Sequence, residues 1–334
     1  MRIETRFKYN AAMKQLAKLN NVEKVSQKFN VEPSVQQTLE DKIQLSSAFL
    51  QKINIFLVEE QSGAAVGLGI SRPIASRTNT GTTDRQATDP SSMDERFYFC
   101  RKTDFDTAIK YAKLDQWAKF KDFYARFSGQ IQKRQGLDRI MIGFNGTSIA
   151  TTTDIVANPK LQDVNKGWLQ KMREENAARV MSSGATVGKI TIGATGDYKN
   201  VDALVMDIVS ELIDEVHQDN PDLVVLCNRK TVSDKYFPLV NKEQDNSEKL
   251  AADMIISQKR MGNLPVYAVP FFPEGAILVT TFDNLSIYVQ EGARRRTVID
   301  NPKRDQIENY ESSNEDYYIE DLGLAALAEN IESV

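Results

Sequence analysis

The segment "SGAAVGLGISRPIASRTNTGTTDRQATDPSS", residues 62–92, follows the apolar run "INIFLV" at residues 53–58. Gly63, Gly67 and Gly69 crowd together after that run, as glycines do where a backbone must approach a pyrophosphate closely. A dinucleotide fingerprint, however, needs its last glycine to open a helix. Here Ile70, Ser71, Arg72 and Pro73 lead into a long stretch of Ser, Thr, Asn, Gly and Asp, and no Gly-Lys-Ser/Thr follows. Glycine inside a strand more often marks a bulge, a bend or a close backbone approach. The segment therefore reads as one strand of a two-stranded arm with a polar tip, returning through Phe97 to about Ile109, with Gly63, Gly67 and Gly69 letting it bend over a neighbour.

The period changes after the arm. Trp117, Phe120, Tyr124, Phe127 and Ile131 recur at helical spacing, giving a helix of about twenty-five residues and roughly 37 Å that ends near Gly143. "LQDVNKGWLQKMREENAARVM" is a second amphipathic segment, and the Gly/Thr-rich "SSGATVGKITIGATGDY" reads as a loop with a short strand. The last third reads as an α/β unit. Val201, Leu204, Val205, Ile208, Leu212 and Val216 form a helix face, Leu223 to Leu226 a buried strand, and Thr231 with Asp234 a capping box for another helix. "PVYAVPF", "AILVTTF" and "LSIYVQE" read as an antiparallel set, and the acidic, tyrosine-bearing "RDQIENYESSNEDYYIEDLG" as a returning strand against which its charge density argues.

Composition and charge narrow the function. The 334 residues, 41% hydrophobic and 26% charged, suit a folded protein of two domains, and no run approaches the ~18 apolar residues of a spanning helix. Cys100 and Cys227 are the only cysteines, which points to a reducing compartment. His217 is the only histidine and falls at a helix end, where it would complement the dipole. One histidine and two distant cysteines make neither a nucleophilic triad nor a tetrahedral zinc set, so no catalytic, cofactor or metal site is expected. The first thirty residues carry seven basic side chains against two acidic ones, a net +5 that leaves −9 on the rest of a chain of net charge −4. Such a segment suits a detachable arm for an acidic partner, nucleic acid or a membrane surface, and equally a solvated amphipathic helix. Arg294, Arg295 and Arg296 form the densest basic feature of the body, read as an exposed turn or as a subunit contact in preference to DNA readout.

Long runs across the chain make a family visible. "MRIETRFKYN", "VEPSVQQTLEDKI", "LDQWAKFKDF", "QKRQGLDRIMIGFNG", "LQDVNKGWLQKMR", "DKYFPLVNKEQDNSEKLAADMIISQKRMGNLPV" and "NPKRDQIENYESSNEDYYIED" closely resemble, in the same order, the major capsid proteins of Peduovirus-type tailed phages. The resemblance implies an α+β chain with the Hong Kong 97 phage capsid fold. Its parts would be a basic N-terminal segment (1–30) removed on maturation, an N-arm (31–52), the extended β-hairpin called the E-loop (53–110), a peripheral domain with a long spine helix (111–198), an axial α/β domain (199–300), and a return strand and C-terminal tail (301–334). It also implies a function: a precursor that assembles with an internal scaffolding protein into an icosahedral procapsid of hexamers and pentamers. A maturation protease would cut near Phe29 and Asn30, and the shell would expand around packaged double-stranded DNA, with the portal as a further partner and no membrane. The implied location is the virion, with the host cytoplasm as the place of assembly. No Lys occurs between Lys52 and Lys102, so a noncovalent shell is expected where some capsids of this fold crosslink through an E-loop lysine. The rival reading is an α/β metabolic enzyme of small oligomeric state.

Overall fold

A computed structural model of the chain describes residues 1–70, 75, 77–82, 84–85, 91–117, 123–240 and 259–334. Helix α1 (Ile3–Leu19) has Glu4 in its first turn and Lys18 in its last, both favourable to the helix dipole, and Asn20 closes it by donating Nδ2 to the Leu16 carbonyl at 2.9 Å. After the short strand β1 (Phe29–Asn30), Pro33 opens α2 (Pro33–Leu45), where its missing N–H costs no helix bond. The chain then forms β2 (Asn54–Val58), β3 (Ser62–Ile70), β4 (Ser91–Phe99), β5 (Arg101–Asp104) and β6 (Thr107–Lys110).

Helices α3 (Tyr111–Trp117) and α4 (Phe123–Asn145) cover most of the expected long helix; Phe120 and its neighbours at 118–122 lie outside the described residues. At roughly 34 Å, α4 is the longest described helix. The rest comprises α5 (Trp168–Glu175), β7 (Val180–Met181), β8 (Ile190–Ile192), α6 (Val201–Leu212), β9 (Val224–Cys227), α7 (Arg229–Val240), β10 (Arg260–Met261), β11 (Leu264–Ala268), β12 (Ile277–Thr280), β13 (Leu285–Gln290), β14 (Arg295–Asn301), β15 (Gln306–Ile319), β16 (Ala326–Ala328) and β17 (Ile331–Ser333).

Two sheets organise these elements. The first has seven strands in the order β1-β14-β15-β13-β2, with β5 and β6 also on β15; the second has six, β10-β11-β9-β12-β16-β7. The fourteen-residue β15 is the axis of the first sheet, pairing antiparallel with β14, β13, β5 and β6 along its length. Trp168, wholly buried, sits beneath it: the indole N–H donates to the Ser286 carbonyl at 3.1 Å and the ring meets Tyr317 edge-on at 5.4 Å. Helix α4 approaches this indole closely because residue 143 is glycine; a Cβ there would lie 2.2 Å from the Trp168 ring. Helix α6 covers the second sheet with Leu204, Val205 and Ile208.

Several local expectations change. Asn228 starts α7, its Oδ1 accepting the Lys230 N–H at 2.8 Å, so Thr231 lies inside the helix instead of capping it. Helix α6 stops at Leu212, which leaves Val216 88% exposed and off the helix face, and His217 reaches Asp321 with Nε2 at 3.1 Å instead of capping a helix end. The three strands expected as one antiparallel set separate. β11 runs parallel to β9, β12 antiparallel to β9, and β13 crosses into the first sheet through the turn at Phe282–Asn284. Sheet membership thus departs from the expected boundaries: 199–300 divides near residue 281, and 301–334 feeds both sheets. The hairpin arm is also shorter than 53–110, because β2 pairs in parallel with β13 and β5 and β6 join β15, leaving β3 and β4 alone as the hairpin.

Candidate functional site

Two groups selected separately in the sequence meet in space. Phe29 and Asn30 pair antiparallel with Arg296 and Arg295, and the Val31 N–H donates to the Arg294 carbonyl at 2.8 Å. The N-terminal segment is thus an added strand on the β14 edge. Its helix packs on the same side: Leu16, Val25, Phe29 and Val31 join Leu114, Val298 and Ile307 in one apolar cluster. Arg6 pairs with Asp300, which also accepts from the Tyr111 hydroxyl, and the Arg2 N–H donates to Asp115 Oδ1 at 2.9 Å.

The arginine triplet divides. Arg294 is fully buried, so neither an exposed turn nor a subunit contact describes it; Arg295 is exposed, and half-buried Arg296 donates Nε to Asn309 Oδ1 at 2.7 Å. Beneath β14, Arg294 donates Nη1 to Glu40 Oε1 at 2.5 Å, Nε to Glu311 Oε1 at 2.8 Å and Nη2 to Gln135 Oε1 at 3.0 Å. Arg139 of α4 completes the lattice, with Nη1 on Glu40 Oε2 at 2.5 Å and a two-pronged fork on Glu315 at 2.7 and 3.1 Å. Burial alone would raise Glu40, but the attraction of Arg139 and Arg294 outweighs it and holds this carboxyl below the usual range. This lattice ties α2, α4, β14 and β15 into one unit, and the sequence reading missed all its members except Arg294. The available signals were Arg139 beside the apolar "IMIGF" and the spacing of Gln36, Glu40 and Ile43 on one face of α2.

The glycine-rich hairpin stands apart from this cluster. Its ladder runs without a bulge from Ser62 opposite Phe99 to Ile70 opposite Ser91, placing Gly67 opposite Asp94 and Gly69 opposite Ser92. Gly63 serves close approach: a Cβ there would lie 2.8 Å from the Tyr98 hydroxyl oxygen. Tyr98 in turn meets Tyr288 edge-on at 5.0 Å, while Arg96 donates to the carbonyls of Ile319 and Glu320 at 2.8 and 2.5 Å. Asp316, held by Lys171 at 2.9 Å, accepts the Phe99 N–H at 3.1 Å. The hairpin root is therefore clamped to β13 and β15, while Phe97 is 67% exposed. Most of the expected tip, including 71–74 and 86–90, lies outside the described residues.

Among the described residues no group of three or more His, Cys, Asp or Glu is placed to hold a metal, and no helix is long and apolar enough to cross a membrane. Cys100 and Cys227 are both buried thiols, pushed up to about 12 by that burial.

The family model described as phage major capsid protein, P2 family, matches residues 8–331. The chain belongs to that family. This capsid protein is 52% identical over 340 residues to "Capsid proteins" of Escherichia phage P2, covering 99% of the chain and 95% of the relative. It is 41% identical over 335 residues to the major capsid protein of Serratia phage KSP20, covering 98% and 96%. In structure it is similar to a chain of the satellite phage P4 procapsid that includes the size determination (Sid) protein, with TM-score 0.83, 48% identity and coverage of 100% and 99%. A capsid of an empty GTA particle shares the fold at TM-score 0.53 and 17% identity, covering 86% and 90%. The capsid protein therefore has the mixed helix-and-sheet Hong Kong 97-type fold that the sequence resemblance implied, and it is a structural subunit of the phage virion. The metabolic-enzyme alternative falls away, since the relatives are structural capsid proteins.

Proposed function

We propose that this capsid protein is made as a precursor whose first thirty residues engage an internal scaffolding protein during assembly of a procapsid of hexamers and pentamers in the host cytoplasm. A maturation protease then cuts near Phe29 and Asn30, and the shell expands around packaged double-stranded DNA, with the portal as a further partner. The observation that carries this reading is the form of α1. It is docked on the body by one face, while its other side presents Ile3, 76% exposed, and Phe7, 70% exposed, one turn apart beside exposed Lys14 and Lys18. An apolar pair framed by cations suits an acidic amphipathic partner segment. Removal of the segment takes +5 from the subunit and leaves −9, so the inner wall lacks the dense cationic surface that would grip phosphates by counterion release. The shell is held noncovalently and binds DNA without sequence preference.

Co-expression of a chain lacking residues 2–29 with the scaffolding protein tests the role of the segment. Aberrant particles, or shells without internal scaffold, are the expected products; normal scaffold-filled procapsids would contradict it.

A further inference from the structure

We propose that residues 25–31 form a strand latch that keeps the processing region closed to proteases until the subunit changes shape. The inference rests on the reading of Phe29 and Asn30 as that region. A protease takes its substrate as an extended strand whose backbone pairs with the enzyme cleft. Here those backbone groups are already engaged on β14. The Val25 carbonyl accepts the Val298 N–H at 2.9 Å, Phe29 and Asn30 pair with Arg296 and Arg295, and Val31 donates to Arg294. Phe29 and Val31 are 8% and 2% exposed, sunk into the cluster with Leu114 and Val298. Asn20, itself buried, fixes the far side of the loop by accepting the Glu32 N–H on Oδ1 at 3.2 Å.

Cleavage therefore requires a local opening that breaks this pairing and lifts two apolar side chains out of the cluster. The acceptor strand is not free to open by itself. Arg294, whose carbonyl holds Val31, is bound through its guanidinium to Glu40 of α2 and Glu311 of β15. A displacement of α2 or α4 against β14 is transmitted to the latch through those buried pairs. The device makes cutting dependent on the conformation of the subunit.

Limited digestion of the purified full chain tests the latch, because Lys28 and Phe29 are cutting sites for trypsin and chymotrypsin. Relative to a synthetic peptide of residues 20–36, the native chain is expected to be cut there roughly 100-fold more slowly, the signature of cutting through a rare open form. Val25→Asp is expected to restore most of the lost rate without unfolding the body. Val298→Ala, which changes the acceptor strand instead of the latch, gives the same reading should Val25→Asp fail to fold. Cutting of the native chain at the rate of the peptide would overturn the latch, as would folded variants cut no faster than the native chain. The intact mass of the subunit in assembled particles tests the processing reading separately: retention of residues 1–29 there overturns that reading whatever the digestion rate.

Discussion

Arg139 enters the core with three carboxylate contacts and no exposure to solvent. Removing it leaves Glu40 and Glu315 buried with too little positive charge, which in buried ion pairs costs about 3–5 kcal/mol. Arg139→Ala is expected to lower the denaturant midpoint of the unassembled subunit accordingly, and Arg139→Lys to recover only part of it, since an ammonium cannot fork onto Glu315 while holding Glu40. The lattice also has a pH signature. Burial acts to raise both Glu40 and Glu311, but Arg139 and Arg294 hold Glu40, and Arg294 and Arg296 hold Glu311, below the ordinary range. Their contribution is therefore fully present above the unfolded value of about 4.3 and is lost as pH falls through the depressed folded values. Asp138, raised by its burial, works in the opposite direction. The stability difference between the chain and Glu40→Gln, followed by urea unfolding, is expected to be constant from pH 7 to about 5 and to shrink below about 4; a difference that grows in acid would contradict this. Arg139 beside an apolar run was a visible signal. Its partners were not, because Glu40 and Glu315 lie 99 and 176 residues away and nothing local encodes such a pairing.

The elements show where sequence patterns succeed. The expected helix is found at α4 and the expected buried strand at β9, the latter readable because its four residues form one continuous apolar run. Strand β15 resists the same reading, since its fourteen residues are nearly all buried yet include Glu308, Glu311, Glu315 and Asp316. It is covered on both faces, so polar and apolar residues do not alternate, and Arg294, Arg139 and Lys171 neutralise carboxylates that look solvent-bound in the sequence. The contact of α4 with α5 was equally hidden, because it depends on what Gly143 lacks. Gly143→Ala would push a methyl group into the Trp168 ring, and an overpacking cost of about 1–3 kcal/mol is expected in thermal or denaturant unfolding. The hairpin sets a different test. Its root is clamped by Arg96, Tyr98 and Asp316, so deletion of residues 73–90 is expected to leave the monomer's circular dichroism and melting unchanged while particle yield or stability drops. Normal, stable particles from the deleted chain would show that residues 73–90 take no part in assembly.

At the scale of the molecule, two sheets are interleaved by a chain that crosses between them after β6, at residues 281–284 and again after β15. Sequence periodicity finds strands but not which sheet each joins, as β13 shows by leaving β11 and β12 for the first sheet. The capsid family supplies the function, and the docked N-terminal segment supplies the proposed precursor step. A subunit that closes into rings, as the proposed hexamers and pentamers require, must repeat the same heterologous contacts at two curvatures. Electron microscopy of the sedimenting material formed when the full chain is co-expressed with the proposed scaffolding protein should show closed shells of uniform diameter; a chain found only in small soluble oligomers would mean that it does not build a shell.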